Sequence, residues 1–148
     1  MPEEDVIERA HRDAAEGKSP STQAGEFVRE EIEHVRAGKH CARSPQQVIA
    51  IGLSKARRAG INLPPPKKGR SSSKLRRQAQ RDLSKGRKRN RKSSAKRSRA
   101  TSNALRRESK SSVSRAALSK QAKSSARRRG SAGRHRAAAK AARTRRRG

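Results

Sequence analysis

The chain has 148 residues, of which 28% are apolar and 1% aromatic, and its formal net charge is +30. This combination excludes a core of ordinary size, because so few apolar side chains do not offset the entropy lost on ordering the chain. The single aromatic residue, Phe27, also excludes the base-stacking platform that many single-strand binders use. The composition therefore predicts a mostly disordered protein with a small all-α module at its N-terminal end.

The charge is divided unequally along the chain. Residues 1–66 hold ten Lys or Arg and ten Asp or Glu, whereas residues 67–148 hold thirty-two Lys or Arg and two acids. All of the excess charge therefore follows the Pro64-Pro65-Pro66 run. We predict two domains: a neutral helical module over 1–66, called the N-terminal module, and a disordered Lys/Arg/Ser/Ala-rich nucleic-acid-binding tail over 67–148, called the tail.

Two helices are predicted in the first half of the N-terminal module. An extra short helix over 3–16 begins with acidic residues, which favour the positive end of the helix dipole, and ends before Gly17. A longer helix over 20–36 begins after Ser19, with proline at its first position. Its apolar residues recur at helical spacing, and glutamates occupy much of the opposite face.

A further helix is predicted over 45–59. Ser44 precedes Pro45, and Gln47 follows three residues after the serine, which is the pattern of a capping box. Gly60 suits the left-handed position that follows the last turn.

The helices over 20–36 and 45–59 form a predicted helical hairpin that spans 20–63. Its large apolar side chains contribute ~2 kcal/mol each when fully buried, which leaves the hairpin marginal against the entropy of ordering it. We therefore expect stabilisation by self-association, by a protein partner or by residues 3–16.

Seven basic clusters in the tail predict nucleic-acid binding. A chain with this much self-repelling charge needs a polyanion to neutralise it, and Arg binds phosphate through a bidentate fork. Serines and alanines separate the clusters, so we expect a disordered tail with nascent helices that form upon binding. The predicted nucleic-acid-binding residues are Lys67, Lys68, Arg70, Arg76, Arg77, Arg87, Lys88, Arg89, Arg91, Lys92, Lys96, Arg97, Arg99, Arg106, Arg107, Arg127, Arg128, Arg129, Arg145, Arg146 and Arg147.

No pattern in the sequence predicts an enzyme, a cofactor or a small-molecule substrate. His34, His40 and Cys41 provide three potential metal ligands without a paired Cys-x-x-Cys, so we predict no metal site and no catalytic residue. The single cysteine favours a reducing compartment. The start of the chain is acidic where a secretory signal is basic, and no stretch approaches the ~18 apolar residues of a membrane span. We expect no membrane partner and a cytoplasmic, nucleoid-associated location, or a nuclear one in a eukaryote.

Two resemblances support a role with DNA. The tail resembles in composition the C-terminal domains of linker histones and the histone-like proteins of bacteria, which implies DNA condensation. The run from Gln47 to Arg57, within residues 38–60, resembles a family of small basic bacterial proteins of uncharacterised function with the signature Gln-x-Ile-Ala-Ile-Gly-Leu-Ser-x-Ala-Arg. This chain has Lys55 where that family often has an acidic residue. The resemblance implies a DNA-associated protein without assigned catalytic residues.

The sequence thus predicts a histone-like, nucleoid-associated protein that binds DNA without sequence preference and compacts it. An RNA-binding or ribosome-associated protein is the first alternative, because phosphate contacts do not distinguish DNA from RNA. The second alternative is an interaction adaptor whose hairpin over 20–63 recruits a protein partner.

Overall fold

The computed structural model describes residues 3–88 and 94–147 as an assembly of α-helices, without a strand in those ranges. None of the described helices combines the length and the apolarity that crossing a membrane requires. A short 3₁₀ turn over Lys110–Val113 precedes the last helix. The helices are α1 (Glu4–Ala15), α2 (Pro20–Arg36), α3 (Pro45–Arg58), α4 (Ser73–Arg87), α5 (Ala95–Arg106) and α6 (Arg115–Arg147).

The three helices predicted in the N-terminal module are confirmed, with bounds within one residue of those expected. At the start of α3, the Ser44 hydroxyl accepts a hydrogen bond from the backbone N–H of Gln47 at 3.2 Å. The Gln47 side chain accepts its own bond from the N–H of Arg43 at 2.6 Å, one residue earlier than a capping box requires. At the end of α3, Gly60 has a φ of 99°, and the N–H of Ile61 donates to the carbonyl of Ala56 at 3.1 Å. This is the Schellman arrangement.

The apolar core is small and lies in two clusters along the α2–α3 hairpin. In the first cluster, α1 packs across the hairpin, so residues 3–16 provide one of the expected sources of stabilisation. The second cluster lies at the other end of α2 and includes Val113 of the 3₁₀ turn. The buried members of the first cluster are Val6, Ala10, Ala24, Phe27, Ala56 and Ile61, and those of the second are Val35, Ala42, Val48 and Val113.

Helix α4 packs against α3, although it lies beyond the triple proline. Ala79 and Asp82 are its buried residues, and the Asp82 carboxylate accepts hydrogen bonds from Ser54 Oγ at 2.7 Å and Arg58 Nε at 3.0 Å. The backbones come so close that a Cβ at Gly86 would collide with the carbonyl oxygen of Arg57. The ordered part of the chain therefore continues well past residue 66.

The prediction of a mostly disordered chain, with only nascent helices in the tail, is wrong. Helices α4, α5 and α6 and the 3₁₀ turn all lie in the tail. Low hydrophobicity argues against a packed core but not against helix, and Ala, Arg and Lys are among the strongest helix formers. Like-charge neighbours at i,i+4 oppose the helix by only ~0.2–0.5 kcal/mol per pair, and salt screens them. Ser72 caps α4 and Ser114 caps α6 through their hydroxyls.

Helix α6 consists of two helical segments that meet at Gly130. This glycine has φ 69° and ψ 176°, which breaks the helix between residues 129 and 131. The first segment follows the 3₁₀ turn, and α6 contacts that turn and α3. Beyond the break, Lys140 Nζ donates a hydrogen bond to Ser21 Oγ of α2 at 3.3 Å.

Candidate nucleic-acid interface

In the ion pairs among the described residues, the Lys, Arg or His side chain always belongs to the N-terminal module. Arg9 Nε, for example, lies 2.8 Å from Glu26 Oε2, and Lys18 Nζ lies 2.9 Å from Asp13 Oδ1. Over residues 67–88 and 94–146, no Lys or Arg of the tail forms an ion pair with an acid. Eight of the ten Lys and Arg side chains of the N-terminal module are thus paired with an acid, whereas none of the Lys and Arg side chains described in the tail is.

Both acids of the tail are paired with the N-terminal module. Asp82 Oδ1 lies 3.0 Å from Arg58 Nε on α3, and Glu108 Oε1, which follows α5, lies 3.3 Å from Arg43 Nη2. These contacts connect the tail to the folded module. Because both acids are paired in this way, they do not neutralise neighbouring Lys and Arg side chains in the tail.

The structure places the predicted binding residues on three helices and the segments between them. Lys67, Lys68 and Arg70 lie in the connector before α4, and Lys88 and Arg107 follow α4 and α5. Arg89, Arg91 and Lys92 lie outside the described residues, and the side chain of Arg147 does as well. The remaining predicted residues are Arg76, Arg77 and Arg87 on α4, Lys96, Arg97, Arg99 and Arg106 on α5, and Arg127, Arg128, Arg129, Arg145 and Arg146 on α6.

Of these described residues, Arg76 has a clear structural contact. Its side chain is half-buried, and its Nε donates a hydrogen bond to the carbonyl of Pro66 at 3.0 Å. Arg57 makes a similar contact within the N-terminal module, donating from Nε to the carbonyl of Leu63 at 3.1 Å. Both arginines hold the proline-rich connector against the helices, so Arg76 has less freedom to bind phosphate than its exposed neighbour Arg77.

A basic stripe runs along one face of the first segment of α6. Lys120, Lys123, Arg127 and Arg128 line a shallow open groove together with Ala116, Ser119 and Ser124. The positions are three or four residues apart, so their side chains share one side of the helix. Reasoning from clusters of adjacent basic residues missed Lys120 and Lys123, although their spacing from Arg127 was available in the sequence.

A second group of polar side chains lies between α2 and the connector that follows it. Ligand atoms of Glu31, His34 and His40 all lie within 4.8 Å of one another, which is close enough for one metal ion. The sequence had suggested His34, His40 and Cys41 as the only potential ligands. Glu31 was missed because its position in a run of surface-like glutamates gave no sign that it is fully buried.

Comparison of the chain with models of protein families, with curated proteins and with solved structures gave no match. The resemblance of residues 38–60 to a small basic bacterial family therefore stays a prediction.

Proposed function

We propose that this protein binds the phosphate backbone of DNA without sequence preference and compacts it. The tail is the binding element, and the N-terminal module anchors it. The observation that carries this proposal is the distribution of ion pairs: acids neutralise cations of the N-terminal module, while the described tail cations have no acidic partner. A polyanion supplies the missing counter-charge.

The helical form of the tail is compatible with duplex DNA. An α-helix with its side chains is about 10–12 Å across, which matches a major groove about 12 Å wide. The segment of α6 before Gly130 covers residues 115–129, and at 1.5 Å per residue it is about 22 Å long. The break at Gly130 lets the second segment take a different direction, so successive segments can follow a curved backbone.

The chemistry of the basic stripe favours contacts with phosphate over contacts with bases. The groove is lined by Lys, Arg, Ser and Ala, and it lacks the Asn and Gln that read adenine in the major groove; its Lys and Arg side chains bind phosphate at any sequence, although the same side chains can also contact guanine. Stacking on single-stranded bases is not supported either, because Phe27 is the one aromatic residue and it is fully buried. Binding should consequently depend on phosphate density rather than on sequence.

Two double variants of the full-length protein with the same change in charge test the proposal. Arg127→Gln/Arg128→Gln removes two cations from the basic stripe, and Arg12→Gln/Arg29→Gln removes two from exposed ion pairs of the N-terminal module. We expect the first pair to weaken binding equally on AT-rich and GC-rich duplexes and to reduce the salt slope by about 1 for each phosphate that is no longer bound. The double variant Arg12→Gln/Arg29→Gln should change neither the affinity nor the salt slope.

Fluorescence anisotropy with labelled duplexes measures these affinities, and light scattering of a plasmid at rising protein concentration measures compaction. Equal losses of affinity in the two double variants would contradict the proposal, because binding would then follow net charge rather than the tail. A structured RNA of equal phosphate content serves as competitor. Preference for that RNA would favour an RNA-binding function instead.

A further inference from the structure

The Glu31 carboxylate and two imidazoles meet at the C-terminal end of α2. Glu31 Oε2 lies 3.0 Å from Nε2 of His40, and Glu31 Oε1 lies 3.5 Å from Nδ1 of His34. Atoms bound to a common zinc ion at about 2.0–2.1 Å in tetrahedral geometry are separated by about 3.3 Å. We propose that Glu31, His34 and His40 form a binding site for a zinc-class divalent cation, independent of the DNA-binding tail.

The outer nitrogen of each imidazole has a partner of the kind that metal-bound histidines use. His34 Nε2 lies 3.2 Å from Glu3 Oε1, and Lys39 Nζ fixes the same oxygen at 2.6 Å. His40 Nδ1 lies 3.3 Å from the backbone carbonyl oxygen of Cys41. A proton on each outer nitrogen satisfies these acceptors, so the lone pairs lie on His34 Nδ1 and His40 Nε2, the two nitrogens that are closest to Glu31. Such outer hydrogen bonds orient metal-binding histidines and raise their basicity.

The burial of Glu31 is an independent indication of a ligand. Its side chain is 1% exposed, yet within the described residues neither carboxylate oxygen accepts a hydrogen bond of acceptable geometry. Lys55 Nζ forms an ion pair with Glu31. This pair brings a positive charge close to the carboxylate, but its geometry is not that of a hydrogen bond. Lys55 also lies 3.4 Å from Glu30 Oε2, so it can retain that partner when a cation binds Glu31. The Lys55 ion pair offsets part of the cost of burying this carboxylate, and a bound metal ion would use the lone pairs that still lack hydrogen bonds.

The ligand set selects the class of metal. Two imidazole nitrogens and one carboxylate oxygen suit Zn²⁺ and related transition metals, whereas Mg²⁺ and Ca²⁺ prefer oxygen ligands alone. Water can complete a tetrahedral zinc site that has three protein ligands. Because His40 lies in the connector between α2 and α3, a bound ion would join that connector to α2.

The site is tested on untagged full-length protein from which metal has been removed with a chelator. Titration with zinc chloride against a chromophoric chelator gives affinity and stoichiometry, and cobalt chloride gives a visible absorption spectrum that reports the ligand geometry. We expect one equivalent of zinc to bind and to raise the melting temperature. Since even an outer hydrogen-bond partner is typically worth 10–100-fold in metal affinity, His34→Ala or His40→Ala should weaken binding about a hundredfold or more.

The matched control is His11→Ala/His135→Ala, which removes the chain's other two histidines from exposed positions on α1 and α6. This control should bind zinc like the wild type. His40→Gln, which keeps a polar side chain, separates loss of metal binding from loss of the fold when circular dichroism is recorded alongside. The proposal is overturned if the wild type takes up no zinc at micromolar concentration, or if folded His40→Gln binds as tightly as the control.

Discussion

Asp82 of α4 binds α3 through an ion pair and a hydrogen bond. Its side chain is 1% exposed, and its carboxylate accepts hydrogen bonds from Ser54, Arg58 and Gln78. Burial alone would raise the pKa of Asp82, but the hydrogen bonds from Ser54, Arg58 and Gln78 and the positive charge of Arg58 together outweigh it, and the pKa lies below its ordinary value. The ionised form is therefore the form that stabilises the fold.

Asp82→Asn should destabilise the protein by about 2 kcal/mol, because it weakens hydrogen bonds to a buried charged group whose partner Arg58 is half in solvent. Urea denaturation followed by circular dichroism measures this difference. Because the folded-state pKa is lowered, the stabilisation is complete above the unfolded pKa, about 3.9, and is lost as the pH falls through the folded value. The gap between wild type and variant should therefore shrink below about pH 4.

Glu108→Gln is the matched control, since it removes the tail's other acid from an exposed pair with Arg43. Such surface pairs contribute little, and we expect a change of no more than about 0.5 kcal/mol. Equal effects of the two substitutions would mean that Asp82 does not attach α4 to α3.

The sequence predicted the caps and ends of helices, which depend on nearby residues, but it did not predict which side chains of different helices contact one another. The Ser44 cap and the Gly60 stop depend on residues close by in the sequence, and both form, although the Gln47 side chain of the predicted capping box bonds the N–H of Arg43 instead of that of Ser44. Asp82 and Glu31 looked like ordinary surface acids, because their burial depends on which helix faces meet. Lys55 illustrates the same limit: its pairing with Glu30 and Glu31 of α2 follows from the crossing of two helices, not from its own sequence context.

At the scale of helices, two glycines allow the backbones to approach closely. A Cβ on Gly52 of α3 would lie 2.6 Å from Cα of Val28 on α2, and one on Gly86 of α4 would collide with the Arg57 carbonyl. Neither obstacle is the end of a flexible side chain, so a helix would have to shift. The tight α2–α3 and α3–α4 contacts thus depend on the absence of side chains at these positions.

Gly52→Ala and Gly86→Ala should each destabilise the fold by about 1–3 kcal/mol, as overpacking does, despite the better helix propensity of alanine. Gly25→Ala on α2 is the control, because a Cβ there would meet nothing within 4 Å. That change should stabilise the protein by up to about 1 kcal/mol. Thermal unfolding of the three variants measures these effects, and a stabilising Gly86→Ala would contradict the docking of α4.

The helices of the N-terminal module could be predicted because caps, glycines and apolar spacing agree there. The tail was assigned wrongly because net charge was treated as an argument against helix as well as against a core. Its helices use alanine-rich composition and serine caps at Ser72 and Ser114, and most of α5 and α6 is exposed. What the sequence did not indicate is that α4 and Val113 contribute to the packed core.

For the whole molecule, folding separates two kinds of surface. Most Lys and Arg side chains of the N-terminal module form ion pairs, two of them with the acids of the tail. Leu75 is the one large apolar side chain that stands exposed among the described residues, at 46%. The described part of the chain therefore exposes few large apolar side chains. Across 67–88 and 94–146 the tail presents rows of Lys and Arg without acidic partners, and this asymmetry is the physical basis of the proposed DNA binding.

The most direct test is the salt dependence of duplex-DNA affinity for the full-length chain and for a chain ended at Ser114, which lacks α6 and its thirteen Lys and Arg but retains α4 and Val113. With ten or more phosphates engaged, log affinity should fall with log salt at a slope of about −9 or steeper, and the shortened chain should show a clearly shallower slope. A full-length slope near about −2, or equal slopes for the two chains, would contradict the account.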